Sequence, residues 1–125
     1  MPRVLLVEDE RSILKALSFE LEEEGFEVFH ATNYQEAVSF LTALECDLII
    51  SDLFIDSDSG DGIRLLNKVR SGEKHIPFIA ITAYPETNLA REAQKTLQDC
   101  FFIKPFAVGD LKKKVFQLLE ESRPV

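Results

Sequence analysis

Short apolar runs, each followed at once by a polar residue, constrain the fold of this chain more than any other feature. Four such runs occupy residues 4–7, 48–50, 78–81 and 101–103. Continuous apolar character over so few residues is typical of a strand that is covered on both faces of a sheet. The runs therefore predict a buried sheet. A weaker alternating pattern at residues 26–31 predicts one further strand nearer an edge.

Between the strands, the apolar residues take on the three- and four-residue spacing of helices. Five helices are predicted, and the fourth has the thinnest apolar stripe. A helix so weakly anchored is a candidate for movement. The five stripes are Ile13, Leu14, Leu17 and Leu21; Ala37, Phe40, Leu41 and Leu44; Ile63, Leu66 and Val69; Leu89, Ala93 and Leu97; and Leu111, Val115, Leu118 and Leu119.

Cap residues predict where several of these helices begin and end. Gly25 is placed to end the first helix. Asn33 is placed to begin the second, in a capping box with Glu36. Asp61 can cap the third helix, and the Pro-Glu pair at residues 85–86 is typical of a helix start and predicts the beginning of the fourth.

Strands and helices alternate through the whole sequence, with short connections. That alternation predicts an α/β fold with three layers, in which an open parallel sheet of five strands lies between helices on both faces. The carboxyl ends of parallel strands meet at one edge of a sheet, and the sites of such folds lie there. Function should therefore be sought among the residues that follow the strands.

Composition narrows the class of protein. Hydrophobic residues make up 46% of the chain, enough for a folded core, and no apolar run approaches the ~20 residues of a membrane span. The net charge of -8 argues against nucleic acid as a direct partner, because phosphate repels it. Cys46 and Cys100 lack metal-ligand spacing and are expected to be reduced thiols. With no secretory pattern at the N-terminus, we expect a cytoplasmic domain with no membrane contact.

Polar residues of complementary chemistry follow four of the predicted strands. Glu8 and Asp9 follow the first, Asp52 the third, Thr82 the fourth and Lys104 the fifth. Three carboxylates in one crevice repel one another unless a cation neutralises them, and Mg2+ accepts carboxylates, water and phosphate as ligands. A lysine and a hydroxyl beside such an ion complete a phosphoryl-transfer site, in which a carboxylate can accept the phosphoryl group. Each residue alone would be an ordinary strand-end salt bridge or cap, but all five together make coincidence a poor explanation.

Over residues 3–119, the sequence resembles the receiver domain of two-component response regulators. The motifs that carry the resemblance are Glu8-Asp9, Asp52, Thr82-Ala83 and Lys104-Pro105-Phe106. The resemblance implies a flavodoxin-like (βα)5 fold with strand order 2-1-3-4-5. It also implies a receiver domain over residues 1–121, followed by a tail or the start of a linker at residues 122–125.

The resemblance further implies a role for each site residue. Asp52 is the expected phospho-acceptor, and Thr82 and Lys104 are expected to contact the phosphoryl oxygens. Asp9 and Asp52 are the expected direct ligands of Mg2+, with Mn2+ as an alternative ion. The other implied roles are those of the Phe54 backbone carbonyl as third protein ligand, of Glu8 as a ligand through water, and of Phe101 as the switch aromatic. The Lys104-Pro105 bond is similar to one that is cis in the family.

The implied function is a phosphorylation switch and not a turnover enzyme. Asp52 receives the phosphoryl group from a histidine kinase or a histidine phosphotransfer protein. Thr82 is then drawn inward, Phe101 turns towards the vacated space, and the surface of the fourth helix, fifth strand and fifth helix changes. A downstream effector protein or domain reads that surface, and a homodimer through the same surface is an option.

The loop after Asp52 is where the sequence departs from the family. Counted to Gly62, it is longer than the common form by about two residues, and it carries Asp56 and Asp58. A calcium loop is the less favoured interpretation, because the terminal glutamate of an EF-hand is missing. Phe54 and Tyr84, two residues after Asp52 and Thr82, are expected to flank the phosphoryl group and to slow its hydrolysis by restricting water.

Three other classes of protein are alternatives. A phosphatase or phosphotransferase with an aspartyl-phosphate would carry its nucleophile after the first strand, with a second Asp two residues on, and this chain lacks that spacing. A flavin- or nucleotide-binding domain would need glycines in the first turn, where residues 8–11 are Glu-Asp-Glu-Arg. An unphosphorylated interaction scaffold would not need the complete set of site residues.

Overall fold

Five strands and five helices alternate along the chain in the computed structural model of the protein. The structure describes residues 1–55 and 60–122. The elements are β1 (Arg3–Val7), α1 (Arg11–Glu23), β2 (Glu27–Ala31), α2 (Tyr34–Ala43), β3 (Leu48–Asp52), α3 (Asp61–Arg70), β4 (Phe78–Thr82), α4 (Asn88–Leu97), β5 (Phe101–Ile103) and α5 (Val108–Glu121).

The strands form one parallel sheet in the order β2-β1-β3-β4-β5. This order, the α/β class and the three layers confirm the prediction. Strands β3 and β4 are buried along their whole length, whereas β2 and β5 form the edges and are partly exposed. The apolar runs of β1, β3 and β4 thus lie inside the sheet, where both faces need apolar side chains. The run at residues 101–103 was also expected to be covered on both faces, but it forms the edge strand β5 and is partly exposed.

Two separate cores cover the two faces of the sheet. Along β3, Leu48 and Ile50 point to one face and Ile49 to the other, as the two-residue period of a strand requires. Helices α1 and α5 cover the first face, and α2, α3 and α4 cover the second. Burying each large aliphatic side chain contributes roughly 1.5–3 kcal/mol, so these cores hold the strand ends in place.

Helices α1 and α4, on opposite faces of the sheet, differ in how firmly they are held. Helix α1 buries Leu14, Leu17 and Leu21, and Lys112 of α5 forms ion pairs with Glu20 at 2.6 Å and Glu24 at 3.2 Å. Helix α4 buries only Ala90, Ala93 and Leu97. The thin stripe predicted for the fourth helix is therefore present, although its first member is Ala90 and not Leu89.

The predicted caps at Gly25 and Asn33 are present, and the hydrogen bonds at the second differ in part from those of a capping box. Gly25 adopts a φ of 91°, which favours glycine, just after α1. The side chain of Asn33 accepts a hydrogen bond from the Glu36 N–H at 2.8 Å. The return bond of a capping box is displaced by one residue, because the Glu36 carboxylate accepts from the N–H and the hydroxyl of Thr32.

The predicted starts of α3 and α4 are wrong by one to three residues. Gly60, with a φ of 69°, occupies the N-cap position of α3, and Asp61 is the first helical residue. Thr87 caps α4 by accepting a hydrogen bond from the Ala90 N–H at 3.2 Å, so the helix begins at Asn88 and not at residues 85–86. A true side-chain cap at Thr87 outweighs the weaker preference of a Pro-Glu pair.

Two sequence predictions lie outside the described residues. They concern the acidic loop residues Asp56 and Asp58 and the tail at residues 123–125. In the parts of the chain that the structure describes, no helix combines the length and apolar character needed to cross a membrane.

Gly62 should be required for stability, because its backbone packs directly on the end of β3. A methyl group built on Gly62 would overlap the carbonyl oxygen of Asp52 and lie 2.5 Å from the Leu53 Cα. We expect Gly62→Ala to lower the free energy of unfolding by about 1–3 kcal/mol, as overpacking against backbone does. Urea denaturation followed by circular dichroism measures the change.

The control is Gly109→Ala in α5, where an added methyl group meets nothing within 4 Å. That variant should be as stable as the wild type or more stable by up to about 1 kcal/mol, because alanine favours a helix over glycine. Equal stability of the two variants would contradict the packing argument for Gly62.

Candidate functional site

Backbone pairing continues one residue beyond the strands and so fixes the residues that follow them. The Glu8 N–H donates to the Ala31 carbonyl at 3.0 Å, and the Lys104 N–H donates to the Thr82 carbonyl at 2.8 Å. Neighbouring strands are parallel, so their carboxyl ends lie at one edge of the sheet. The polar groups that follow the strands are therefore held side by side.

Three carboxylates come together at this edge. Glu8, Asp9 and Asp52 each offer an oxygen atom, and these atoms lie within 4.8 Å of one another. Glu8 is fully buried, Asp52 is 7% exposed and Asp9 is exposed. The sequence predicted this cluster correctly, and the cluster opens to solvent on the side of Asp9.

Lys104 brings a positive charge between two of these carboxylates. Its Nζ donates to Asp52 Oδ2 at 2.8 Å, and to Glu8 Oε1 and Oε2 at 3.1 and 3.3 Å. Only 16% of the Lys104 side chain is exposed. The sequence predicted a carboxylate or phosphate partner for Lys104. It did not predict that Glu8 and Asp52 would share the ammonium group.

The charges at this site shift the pKa of Glu8 and Lys104 upward. Burial, followed by repulsion from Asp52, raises the pKa of Glu8 from 4.5 to about 7, although Lys104 acts in the opposite direction. Burial tends to lower the pKa of Lys104, but its hydrogen bonds and ion pairs with Asp52 and Glu8 together raise it. One lysine therefore does not neutralise the acidic group.

The donor set fits a magnesium ion. Carboxylate oxygens are the ligands this hard cation prefers, and a partly exposed site leaves room for the water it retains. Among the described residues, three carboxylates and one ammonium group meet here, so the site carries a surplus of negative charge that a divalent cation would relieve. Glu8, Asp9 and Asp52 are the described residues that could together hold such an ion.

Thr82 and Phe101 occupy the ends of the next two strands. Thr82 is fully buried, and its hydroxyl oxygen accepts a hydrogen bond from the Tyr84 N–H at 2.9 Å. Phe101 pairs with Ala80 in the sheet register and is partly buried against the core under α4. Thr82 and Phe101 therefore lie on neighbouring strands, two register positions apart.

Aromatic rings lie beside the acidic site. The Phe54 N–H donates to Asp52 Oδ1 at 2.9 Å, which fixes the backbone just after β3. The rings of Phe54 and Tyr84 meet edge to face with centroids 5.9 Å apart. The sequence placed both residues beside the site but did not predict that the rings contact each other. The Lys104-Pro105 bond is cis, as the resemblance implied.

Two contacts near the site were missed by sequence reasoning. Leu89 was assigned to a buried stripe, yet it is 49% exposed and reaches Gly60 at the start of α3. Gly62 was used only to count loop length, yet it packs on the Asp52 backbone. The Thr87 hydroxyl group was an available signal for the start of α4, because threonine is a preferred N-cap residue.

A doubly wound α/β domain with an acidic, lysine-bearing crevice at the carboxyl edge of its sheet is the class defined by this geometry. Comparison with known sequences gives the family. Residues 4–116 match the family model described as "Response regulator receiver domain". The chain is 28% identical over 117 residues to sporulation initiation phosphotransferase F of Bacillus subtilis (strain 168). The aligned region covers 94% of this chain and 93% of that protein.

Solved structures agree with this assignment. The receiver domain of the Francisella response regulator 1452 superposes with a TM-score of 0.86 at 27% identity, over 98% of this chain and 100% of that one. Response regulator TrrA of Thermotoga maritima, solved with Mg2+ and BeF, gives a TM-score of 0.76 at 31% identity, over 94% of this chain and 99% of that one. The chain therefore belongs to the response regulator receiver domain family, whose members are phosphorylation-switched signalling domains of two-component systems.

Receiver domains are signalling phospho-acceptors that act with histidine kinases or phosphotransfer proteins and with effector domains. The chain spans 25% of the length of one curated relative and 50% to 55% of the length of three others.

Replacing Glu8 with glutamine should stabilise the metal-free protein, and more so at high pH. The pKa of Glu8 in the folded protein is about 7, above its ordinary value of 4.5, so the folded state binds this proton more tightly than the unfolded state. The stability that Glu8 provides is therefore complete below pH 4.5 and is lost as the pH rises through 7.

We expect the free energy of unfolding of Glu8→Gln to exceed that of the wild type by roughly 1 kcal/mol or more at pH 8, and by much less at pH 5. Urea denaturation at the two pH values measures both differences. Glu22→Gln, at an exposed position on α1, is the matched control and should differ from the wild type equally at both. If the gain in the free energy of unfolding from Glu8→Gln did not change with pH, the pKa of Glu8 would not be raised in the folded protein.

Proposed function

We propose that Asp52 is the phospho-acceptor and that Lys104 and Thr82 act on the phosphoryl group it receives. The observation that carries this proposal is the 2.8 Å ion pair between Lys104 Nζ and Asp52 Oδ2 in a mostly buried site with three carboxylates. An ammonium group in that place can shift from the carboxylate to a phosphoryl oxygen, where it would stabilise charge that develops during transfer.

The reaction is an in-line transfer to a carboxylate. An Asp52 oxygen attacks the phosphorus of a phosphohistidine, the P–N bond breaks as the P–O bond forms, and the departing imidazole nitrogen takes up a proton. The Phe54 N–H holds Asp52 Oδ1 at 2.9 Å and so orients the carboxylate. Asp9 and Asp52, the Phe54 carbonyl, and Glu8 through water are the proposed ligands of Mg2+, with Mn2+ as a substitute. The ion supplies positive charge for the phosphoryl oxygens.

The switch that follows runs through Thr82 and Phe101. The Thr82 hydroxyl accepts from the Tyr84 N–H before phosphorylation, and a phosphoryl oxygen would offer it a stronger, charged acceptor. Turning the hydroxyl inward would free the Tyr84 N–H and open space beside Phe101. We propose that Phe101 enters this space and that the surface of α4, β5 and α5 changes.

Partners follow from the same proposal. A histidine kinase or a histidine phosphotransfer protein supplies the phosphoryl group, and an effector protein or domain reads the surface of α4, β5 and α5. A homodimer through that surface is a further option, and a cytoplasmic location suits the two free cysteines. The domain acts as a phospho-acceptor and not as a turnover enzyme, and neither nucleic acid nor a membrane is a direct partner, in keeping with the charge of -8.

Replacing Asp52 with asparagine should abolish phosphorylation, because the amide cannot attack phosphorus as a carboxylate does. With Mg2+ and a small phosphodonor such as acetyl phosphate, the wild type should gain the mass of one phosphoryl group. Intact-protein mass spectrometry measures the gain. Asp110→Asn, at an exposed position in α5, is the control and should still be labelled. Labelling of Asp52→Asn to the wild-type extent would place the acceptor elsewhere.

Removing the aromatic rings beside the site should shorten the life of the phosphorylated form. The rings of Phe54 and Tyr84 form a contact close to Asp52, and they restrict the approach of water. We expect Phe54→Ser/Tyr84→Ser to lose its phosphoryl group on the order of tenfold faster, a barrier change of about 1.4 kcal/mol. Loss of the phosphorylated mass after removal of the donor gives the rate. Phe19→Ser, at an exposed aromatic on α1, should match the wild type; an unchanged rate in the double variant would exclude the rings as a barrier.

A further inference from the structure

Two glycines at the start of α3 let the helix make unusually close contacts on two sides. On one side, Gly62 lies so close to β3 that a methyl group there would be 2.5 Å from the Leu53 Cα and 2.8 Å from the Asp52 carbonyl carbon. The Gly62 N–H also donates to the Leu53 carbonyl at 3.1 Å. The start of α3 is thus fixed to the backbone of the proposed phospho-acceptor.

On the other side, Leu89 of α4 lies against Gly60. A methyl group built on Gly60 would be 3.3 Å from Leu89 Cδ1, which is closer than comfortable contact. Gly60 itself is buried. We call Gly60 and Gly62 the glycine corner. It touches α4 through one glycine and the Asp52 backbone through the other.

Leu89 is not a core residue. It is 49% exposed, so burial alone does not explain its position on the glycine corner. The other apolar anchors of α4 are Ala90, Ala93 and Leu97, and the alanines offer little surface to hold the helix. Leu89 is therefore the large side chain at the N-terminal end of α4 that contacts the β3–α3 connection.

We propose that Leu89 is a positioning residue that couples α4 to Asp52 through the glycine corner. A shift of α4 moves Leu89 towards Gly60 or away from it. Gly62 lies two residues further on and packs on the Asp52 backbone, so the movement is transmitted to Asp52 through the start of α3. Coupling between two sites is reciprocal, so ion binding at Asp52 and the placement of α4 influence each other. This link is separate from the path through Thr82 and Phe101, and it rests on the proposed function of Asp52.

Leu89→Ala tests the link with two readouts. The first is the dissociation constant for Mg2+ in the unphosphorylated protein, measured by calorimetry, which should rise about threefold. The second is hydrogen exchange of α4 with and without Mg2+ and beryllofluoride. The protection change that the wild type shows in α4 should fall by about half in the variant.

Two controls separate coupling from general loosening of α4. Leu89→Met keeps an apolar tip over Gly60 and should behave as the wild type in both readouts. Gln94→Ala removes an exposed side chain from the same helix and should also behave as the wild type. The coupling is refuted if Leu89→Ala matches Gln94→Ala in Mg2+ affinity and in α4 exchange.

A double-mutant cycle tests the contact itself. Gly60→Ala introduces a methyl group 3.3 Å from Leu89 Cδ1 at a φ of 69°. The backbone cost of alanine is present in both backgrounds, whereas the collision with Leu89 is present only in the wild-type background. Gly60→Ala should therefore weaken Mg2+ binding at least about twofold more in the wild type than in Leu89→Ala. Equal effects in the two backgrounds would overturn the proposal.

The outcomes also distinguish this inference from the proposed function. If the wild type itself fails to bind Mg2+ or to accept a phosphoryl group, the proposed function is wrong, and the coupling to that function fails with it. If the wild type binds Mg2+ and is phosphorylated on Asp52 while Leu89→Ala is indistinguishable from it, the proposed function stands and the coupling is wrong.

Discussion

A single ammonium group, that of Lys104, holds together the carboxylates at the edge of the sheet. It lies 2.8 Å from one oxygen of Asp52 and 3.1 Å from one of Glu8, in a crevice with more carboxylates than positive charges. Removing a lysine from such a pair would leave buried negative charge without compensation. Among the described residues, the carboxylates of Glu8, Asp9 and Asp52 outnumber this one ammonium group, and that surplus makes the crevice receptive to a divalent cation.

The parallel sheet is what brings these charged groups close together. Because neighbouring strands all end at one edge, residues separated by up to 96 positions in sequence meet there. The three inner strands β1, β3 and β4 are almost wholly buried, and the charged groups that follow the strands cannot move far without breaking backbone pairing. The rigid core thus supports an edge at which charged groups are held close together.

Much of this could be predicted from sequence because it depends on local patterns. The strands follow from apolar runs, the strand order from a resemblance, and the Glu8–Asp9–Asp52 cluster from the positions of carboxylates after strands. What escaped prediction depends on three-dimensional register. Leu89 and Ala90 are adjacent in sequence, and which of them faces the core depends on how α4 packs against the sheet.

The same limit applies to the glycines and to Lys104. A glycine in a loop predicts a turn, and only the folded chain shows that Gly62 packs against the Asp52 backbone. A lysine after a strand predicts a negative partner, but not that Glu8 and Asp52 divide its ammonium group. These contacts join distant parts of the chain, so no pattern within one segment encodes them.

The unequal hold on the helices has a consequence for which parts of the domain can change shape. Helix α1 is held by three buried leucines and by the ion pairs of Lys112 with Glu20 and Glu24. Helix α4 buries two alanines and one leucine. Moving a helix away from the sheet therefore exposes less apolar surface at α4 than at α1. The outer surface of α4 can accordingly respond to a chemical event at the edge of the sheet at a smaller cost in free energy than that of α1.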